Sequence, residues 1–303
     1  MPLKRAGFQV RLPSNMITEV FIPTIVVLLM ALAGTGVEYS RVRPVFQFPS
    51  NLVKATLAQT VLLPLLALVL VIIMRPEPEL AIGLILVAAS PGGALSNFYC
   101  YLGRLNISLS VTLTTISNLL AFITMPLLLS ATLAFTSFDE AIKIPTGLLA
   151  WHLMLFLILP ITVGMAIRNF APTLLNRFER KLRGISLLLL LLLIVLITFQ
   201  QWQTVKNIFI QASVLATLFT LLAAILGWVS YRAGSKMPEN ENQFVFVIEF
   251  ASRNVGVTAL IASSSMGRPE FTAFGAIFVA VSYTHLTLPT TCNLCRSRWS
   301  PYH

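Results

Sequence analysis

Charge is what this sequence has least of. Asp, Glu, Lys and Arg make up 11% of its 303 residues, under half of the roughly 25% that soluble domains carry. Hydrophobic residues make up 56%, and the mean hydropathy is +0.84. That balance excludes an ordinary soluble domain and implies an integral membrane protein whose partner is the lipid bilayer. Cysteine is also scarce. Cys100 falls in an apolar run, and Cys292 and Cys295 form a lone CxxC without a second pair or a histidine at ligand spacing, which argues against a metal or redox centre. The sequence offers no nucleophile, base and orienter set, no metal-ligand cluster and no phosphate loop, so no enzyme is implied. The formal charge of +10 is not the mark of a nucleic-acid binder. The basic residues are scattered between apolar runs, and the largest cluster, Arg177, Arg180, Lys181 and Arg183, sits between two such runs, as in cytoplasmic loops of membrane proteins. No obligate protein partner is implied.

What the chain does contain is a succession of apolar segments. Spans are expected over about 17–37, 52–74, 80–102, 106–134, 144–167, 185–199, 208–229 and 243–265, with a ninth starting near Phe271. At about 1.5 Å per residue, most can cross roughly 30 Å of hydrocarbon. Lys4, Arg5 and Arg11 precede the first run, which continues at spanning length without a small-residue cleavage site and so reads as a span. Pro64 and Pro160 mark expected kinks, and Gln59 is the polar residue of the second span. The leucine run 185–199 is expected to be a lipid-facing or scaffold helix, and 208–229 is similarly bland. Apolar character ends near Val281. The remaining residues, 281–303, lack helical period and are expected to be disordered or foreign sequence in place of a native last span. Basic loops at Arg41 and Arg43, Arg104, Arg177 to Arg183, and Arg232 with Lys236 place one side inside the cell. Glu77, Glu79, Asp139 and Glu140 fall on the other, with the C-terminus inside and the N-terminus outside, a placement that Lys4, Arg5 and Arg11 oppose.

Two stretches break the apolar pattern. In the third span, SPGGALSN (Ser90 to Asn97) sets a proline and paired glycines among polar residues; in the eighth, IEFASRNVG carries Glu249 and Arg253 with Ser252, Asn254 and Gly256. A fixed charge at bilayer depth is costly and marks a functional site. In a continuous helix Glu249 and Arg253, four residues apart, would pair on one face. Interrupted polar spans in separate halves point to a secondary transporter with a site near mid-membrane. The fourth span is rich in hydroxyls, and Ser110, Thr114 and Ser117 recur on one helical face.

These stretches, with SLSVTLTTISNLL after the short basic turn, resemble the bile acid:sodium symporter family over about residues 16–280. The resemblance implies an all-α polytopic inverted-repeat transporter fold with interleaved panel and core helices, the core comprising 80–134 and 208–280. Two discontinuous helices would cross near Pro91 to Gly93 and Ala251 to Asn254. It implies nine or ten spans, with the first of ten missing here. Carried over position by position, a first sodium site would use Ser96, Asn97, Ser110, Thr114 and Glu249. Hydroxyl, amide and carboxylate oxygens suit a hard cation. A second site would involve Gln59, Glu249 and the backbone and side chains around Phe250, Ser252 and Arg253. Arg253 stands where the family has glutamine, and a guanidinium has five donors and no acceptor. The second site is therefore doubtful, with Arg253 as a built-in positive charge. Asn97, Arg253 and Asn254 would face a small organic anion, either bile-acid-like or a pantoate-like carboxylate.

The expected function is Na+-coupled symport by alternating access in a bacterial inner membrane. Three alternatives stay open: a uniporter of the same fold, an arsenite-type exporter, to which Cys100 near the crossing would be relevant, and a non-transporting membrane receptor in which the polar residues only join helices.

Overall fold

The computed structural model describes residues 17–38, 43–47, 49–135, 146–233 and 241–298. The N-terminal basic residues Lys4, Arg5 and Arg11, the acidic turn Asp139 and Glu140, and the connector at Lys236 lie outside the described residues, and with them much of the basis for the expected orientation. The described elements are helical: α1 (Ile22–Thr35), α2 (Pro49–Met74), α3 (Pro78–Ala89), α4 (Ala94–Leu102), α5 (Ile107–Phe135), α6 (Thr146–Phe170), α7 (Pro172–Gln200), α8 (Trp202–Arg232), α9 (Glu241–Ala251), α10 (Val255–Leu260) and α11 (Thr272–Arg298). Among these, α2, α6, α7, α8 and residues Ile107–Thr132 of α5 are each long and apolar enough to cross a membrane. The protein is an all-α, multi-pass membrane protein in which two further spans are each split into short halves.

Proline sets the irregularities. A π turn, Ala58–Leu62, immediately precedes the Pro64 end of α2, and another, Met154–Ile158, precedes Pro160 in α6. A proline has no N–H to give and its ring crowds the preceding turn, so the backbone widens there. Gln59 lies in the first widened turn and is buried.

Close backbone approach holds the helices together. A Cβ added at Gly34 would lie 2.2 Å from the Ile161 carbonyl oxygen, and one at Gly164 would lie 2.1 Å from that of Ala31. The two glycines face one another where α1 crosses α6, the small-residue packing by which membrane helices gain contact without a hydrophobic driving force. Gly227 of α8 allows the same approach to the backbone at Phe246 of α9. The buried aromatic core (Phe219, Phe246, Phe250, Phe271, Phe274, Phe278) lies along α8, α9 and the first turns of α11 with the residue just before it.

Residues Leu188, Leu191, Val195 and Phe199 of α7 are exposed, as expected of a lipid-facing helix. For α8 the expectation of a bland helix is corrected. Ala212, Leu215, Ala216, Phe219, Ala223 and Gly227 form a buried stripe against α9 and α11. The expectation of a disordered tail is also corrected as far as Arg298: Thr272–Arg298 is one helix. Within it Ser282 and Thr284 donate their hydroxyls to Val279 O (3.2 Å) and Ala280 O (2.9 Å) one turn back.

Candidate ion and substrate site

Both expected interruptions are present. α3 stops at Ala89 and α4 starts at Ala94; α9 stops at Ala251 and α10 starts at Val255. The two breaks meet. Gly92 and Arg253 pair in an antiparallel bridge, and Asn254 N donates to Pro91 O at 3.0 Å. Backbone groups freed by the breaks thus satisfy one another inside the protein, as they must at membrane depth. Glycine is required on the first strand of this crossing. A Cβ at Gly93 would sit 2.9 Å from Arg253 O, and one at Gly92 would sit 3.0 Å from Glu249 Oε2 and 3.2 Å from Ser117 Oγ. Asn254 caps α10, its Oδ1 accepting from Val257 N at 3.2 Å.

Against the crossing lies the hydroxyl face of α5. Ser110 Oγ is 2.5 Å from Glu249 Oε1 and 2.8 Å from Asn97 Oδ1. Thr114 Oγ1 donates to Glu249 at 3.0 Å (Oε1) and 3.1 Å (Oε2), and lies 3.3 Å from Ser96 Oγ. Ser96 Oγ is 2.8 Å from Gly93 O. Glu249 is fully buried. The five residues expected at the first sodium site, Ser96, Asn97, Ser110, Thr114 and Glu249, therefore form one oxygen cluster. Ser110 has one hydroxyl hydrogen and two acceptors within reach, so the cluster holds more acceptor oxygen than its own hydrogens can serve. That surplus suits a cation.

Two more polar residues of the fourth span adjoin the cluster: Ser117, expected on the face of Ser110 and Thr114 but given no part in the site, and Asn118. Ser117 Oγ accepts from Gly92 N at 3.0 Å, and Asn118 Nδ2 donates to Gly92 O (3.2 Å) and Thr114 O (2.7 Å). Both fasten the first break to α5. Their signal was the continuation of the Ser110 and Thr114 face by one more turn.

Arg253 departs from expectation in one respect. No ion pair among the described residues joins it to Glu249, because the helix ends at Ala251 and the four-residue spacing no longer puts both on one face. Its guanidinium is buried and turned the other way. Nη1 donates to Gln59 Oε1 at 3.3 Å, and Nη2 donates to Ala88 O at 3.4 Å and to Ser90 O. The last two carbonyls belong to the end of α3, so the arginine caps that helix and meets its negative end. Gln59 is thereby drawn beside Arg253, whereas Ser252 Oγ has no hydrogen-bond partner.

A cavity of about 380 Å³ adjoins the crossing, lined by residues of α1, α4, α5, α6, α7 and α11 and by Gly93, Arg253, Asn254 and Val255 at the breaks. All three residues expected to face substrate, Asn97, Arg253 and Asn254, contribute to its wall. The guanidinium of Arg253 does not share its partners with the cavity: neither Gln59, Ala88 nor Ser90 lines it. Arg168, Glu179 and Arg183 also line it. Sequence reasoning had placed them only as loop charge or not at all.

Discontinuous helices that meet over a buried carboxylate, beside a cavity between helices, define a class of polytopic membrane protein whose binding site lies within the bundle. Residues 23–208 match the profile of the Sodium Bile acid symporter family, and the chain belongs to that family. Its relatives include an uncharacterised sodium-dependent transporter of Bacillus subtilis (strain 168), 34% identical over 40% of this chain and 36% of its own length. The hepatic sodium/bile acid cotransporter of Homo sapiens is 29% identical over 53% of this chain and 46% of its own. A probable chloroplast sodium/metabolite cotransporter of Oryza sativa subsp. japonica is 30% identical over 49% of this chain and 34% of its own. The matched stretches thus span less than half the length of each of these relatives. The family profile ends before Glu249, so the second half of the oxygen cluster stands on its geometry.

Proposed function

We propose that this chain is a sodium-coupled symporter of a small organic anion, bile-acid-like or pantoate-like, working by alternating access. Residues 16–280 act as its transporter domain, with nine spans, inverted repeats and a core of 80–134 and 208–280. Residues 281–303 are foreign to that domain. The observation that carries the reading is the oxygen cluster at Glu249. A carboxylate from α9, an amide oxygen and a hydroxyl from α4 and two hydroxyls from α5 converge with too few hydrogens for their acceptors. A monovalent hard cation supplies what that arrangement lacks. Sodium at Ser96, Asn97, Ser110, Thr114 and Glu249 would draw α4, α5 and α9 together and so organise the wall of the adjoining cavity at Asn97 and Asn254. If ion and substrate are coupled by about 1–3 kcal/mol, each tightens the other roughly 5- to 150-fold.

Arg253 stands in for a second ion. The contact between its Nη1 and Gln59 Oε1 supports this, since that oxygen is one a second cation would need. One sodium is therefore carried per substrate.

The test is sodium binding to purified protein, followed as a sodium-dependent rise in melting temperature at constant ionic strength, with choline as the replacement cation. Glu249→Gln keeps the shape and removes the balancing charge. The expected outcome is a shift with sodium in the wild type and none in the variant. An equal shift with choline and sodium would remove the ion site, leaving a uniporter of the same fold or a non-transporting receptor.

A further inference from the structure

We propose that the outer face of α7 at Arg177, Arg180 and Lys181 is a headgroup site for an acidic phospholipid, set at the membrane boundary beside Phe178. The site is separate from the oxygen cluster and from the cavity, and it does not rest on the transport reading.

The sequence put these cations in a loop between spans. In the structure they belong to α7 itself, which runs unbroken for 29 residues. At about 1.5 Å per residue that is roughly 43 Å of helix, about 13 Å more than the hydrocarbon of a bilayer. The surplus lies at the N-terminal end, because Arg183 is the one charged residue between Leu182 and Gln200. Counted back from Gln200, a spanning length of about 20 residues ends at Lys181. Lys181 therefore stands at the edge of the hydrocarbon. Arg180 and Arg177 lie beyond it, within about 6 Å along the axis, which is about the depth of the headgroup layer.

Helical spacing sets the direction in which they point. Leu174, Phe178, Ile185, Leu188, Leu192 and Phe199 are exposed and recur at helical spacing, so the lipid-facing stripe of α7 continues past the hydrocarbon edge. At about 100° per residue, Lys181 falls inside that stripe, Arg177 at its edge and Arg180 next to Arg177. All three are exposed. The Arg177 guanidinium carbon and Lys181 Nζ lie 5.9 Å and 5.5 Å from the centre of the Phe178 ring. Basic side chains laid along an exposed aromatic are how a helix straddles a membrane boundary, with the apolar part toward the acyl chains and the charge toward the headgroups.

The charge on this face is uncompensated by the protein. Glu179 points to the cavity side of the helix and pairs with Arg183 at 2.8 Å, and among the described residues no ion pair engages Arg177, Arg180 or Lys181. A merely solvated face would account for three exposed cations. It would not account for their interleaving with Leu174 and Phe178, which are 55% and 37% exposed on the same side. An acidic phospholipid meets both features, since its phosphate oxygens suit the guanidinium and ammonium groups and its acyl chains cover the stripe below. A zwitterionic headgroup brings its own cation and gains less.

Native mass spectrometry of the purified full chain tests this, with titrations in detergent of phosphatidylglycerol and, separately, phosphatidylcholine. Each cation near an acidic headgroup is worth about a 5-fold gain in affinity, so the wild type should bind phosphatidylglycerol on the order of 10-fold or more tighter than phosphatidylcholine. Replacing the three together, Arg177→Gln, Arg180→Gln and Lys181→Gln, should bring the two affinities level without lowering the melting temperature. Lys181→Gln alone should lower the preference about 5-fold, which keeps the test open if the triple variant folds poorly. Arg177→Lys with Arg180→Lys should retain most of it. Arg232→Gln removes a cation that lies over Trp228 at the end of α8 and should leave the preference intact. Equal affinities in the wild type, or a preference that survives the triple variant, would overturn the site. A loss as large in Arg232→Gln would reduce it to general surface charge and overturn it too. Displacement of phosphatidylglycerol by an equimolar amount of glycerol phosphate would show a site for the free anion instead of the lipid, and would contradict the proposal.

Discussion

At Ser110 a single hydroxyl hydrogen lies within reach of Asn97 Oδ1 and Glu249 Oε1. Such a side chain ties α5 to both breaks, and its removal separates a ligand role from a packing role. Ser110→Ala deletes one oxygen and one hydrogen bond to a buried charge, worth about 1.5–3 kcal/mol. Sodium affinity should fall by roughly 10-fold or more, measured from the sodium dependence of the melting temperature. An unchanged affinity would reduce Ser110 to helix glue. Arg253→Gln removes the donor that engages Gln59 and restores an oxygen beside it. This variant should bind a second sodium, seen as a doubled ion count in equilibrium binding; a count of one would show that Gln59 and Ser252 do not make a site. Charge is rare in this sequence, so Glu249 stood out against the apolar background, whereas Ser110, on a span rich in hydroxyls, and Asn97 were singled out through the family resemblance. The direction taken by Arg253 was not legible. Spacing along a helix governs which residues share a face only while the helix lasts, and the break after Ala251 turns the guanidinium toward α3.

For the helical elements, the most sensitive places are the glycine crossings. Gly34→Ala would set a methyl 2.2 Å from the Ile161 carbonyl oxygen. The backbones of α1 and α6 would have to move apart, at a cost of about 1–3 kcal/mol. The expected outcome is a lower melting temperature with sodium affinity nearly unchanged, since neither glycine touches the oxygen cluster. Gly92→Ala should do the opposite, weakening sodium binding more than it lowers stability, because its methyl meets Glu249 Oε2 and Ser117 Oγ. A melting shift in the Gly92 variant as large as that in the Gly34 variant, with sodium affinity retained, would contradict this division. Both breaks and both proline-linked irregularities were readable, because proline and paired glycines act locally. The buried stripe on α8 was hidden by composition. Ala212, Ala216 and Ala223 are as apolar as the leucines that face lipid on α7, and hydropathy cannot distinguish a small residue that admits a neighbour from a large one that meets lipid. The helical course of α11 past Val281 was missed for a related reason: the hydroxyls of Ser282 and Thr284 are satisfied within the helix.

At the scale of the whole molecule, the proposed symport would have a fixed cation at Arg253, a movable cation at Glu249 and an anion in the adjoining cavity act together. In that proposal one carboxylate would balance one sodium, and Arg253 would stand where a second ion would act. The coupling ratio is therefore the deciding quantity. It is measured as sodium and substrate flux in proteoliposomes at fixed pH and membrane potential, with choline as the replacement cation. The prediction is one sodium per substrate, with a Hill coefficient for sodium close to one; two sodium ions per substrate, or flux indifferent to choline replacement, would contradict it.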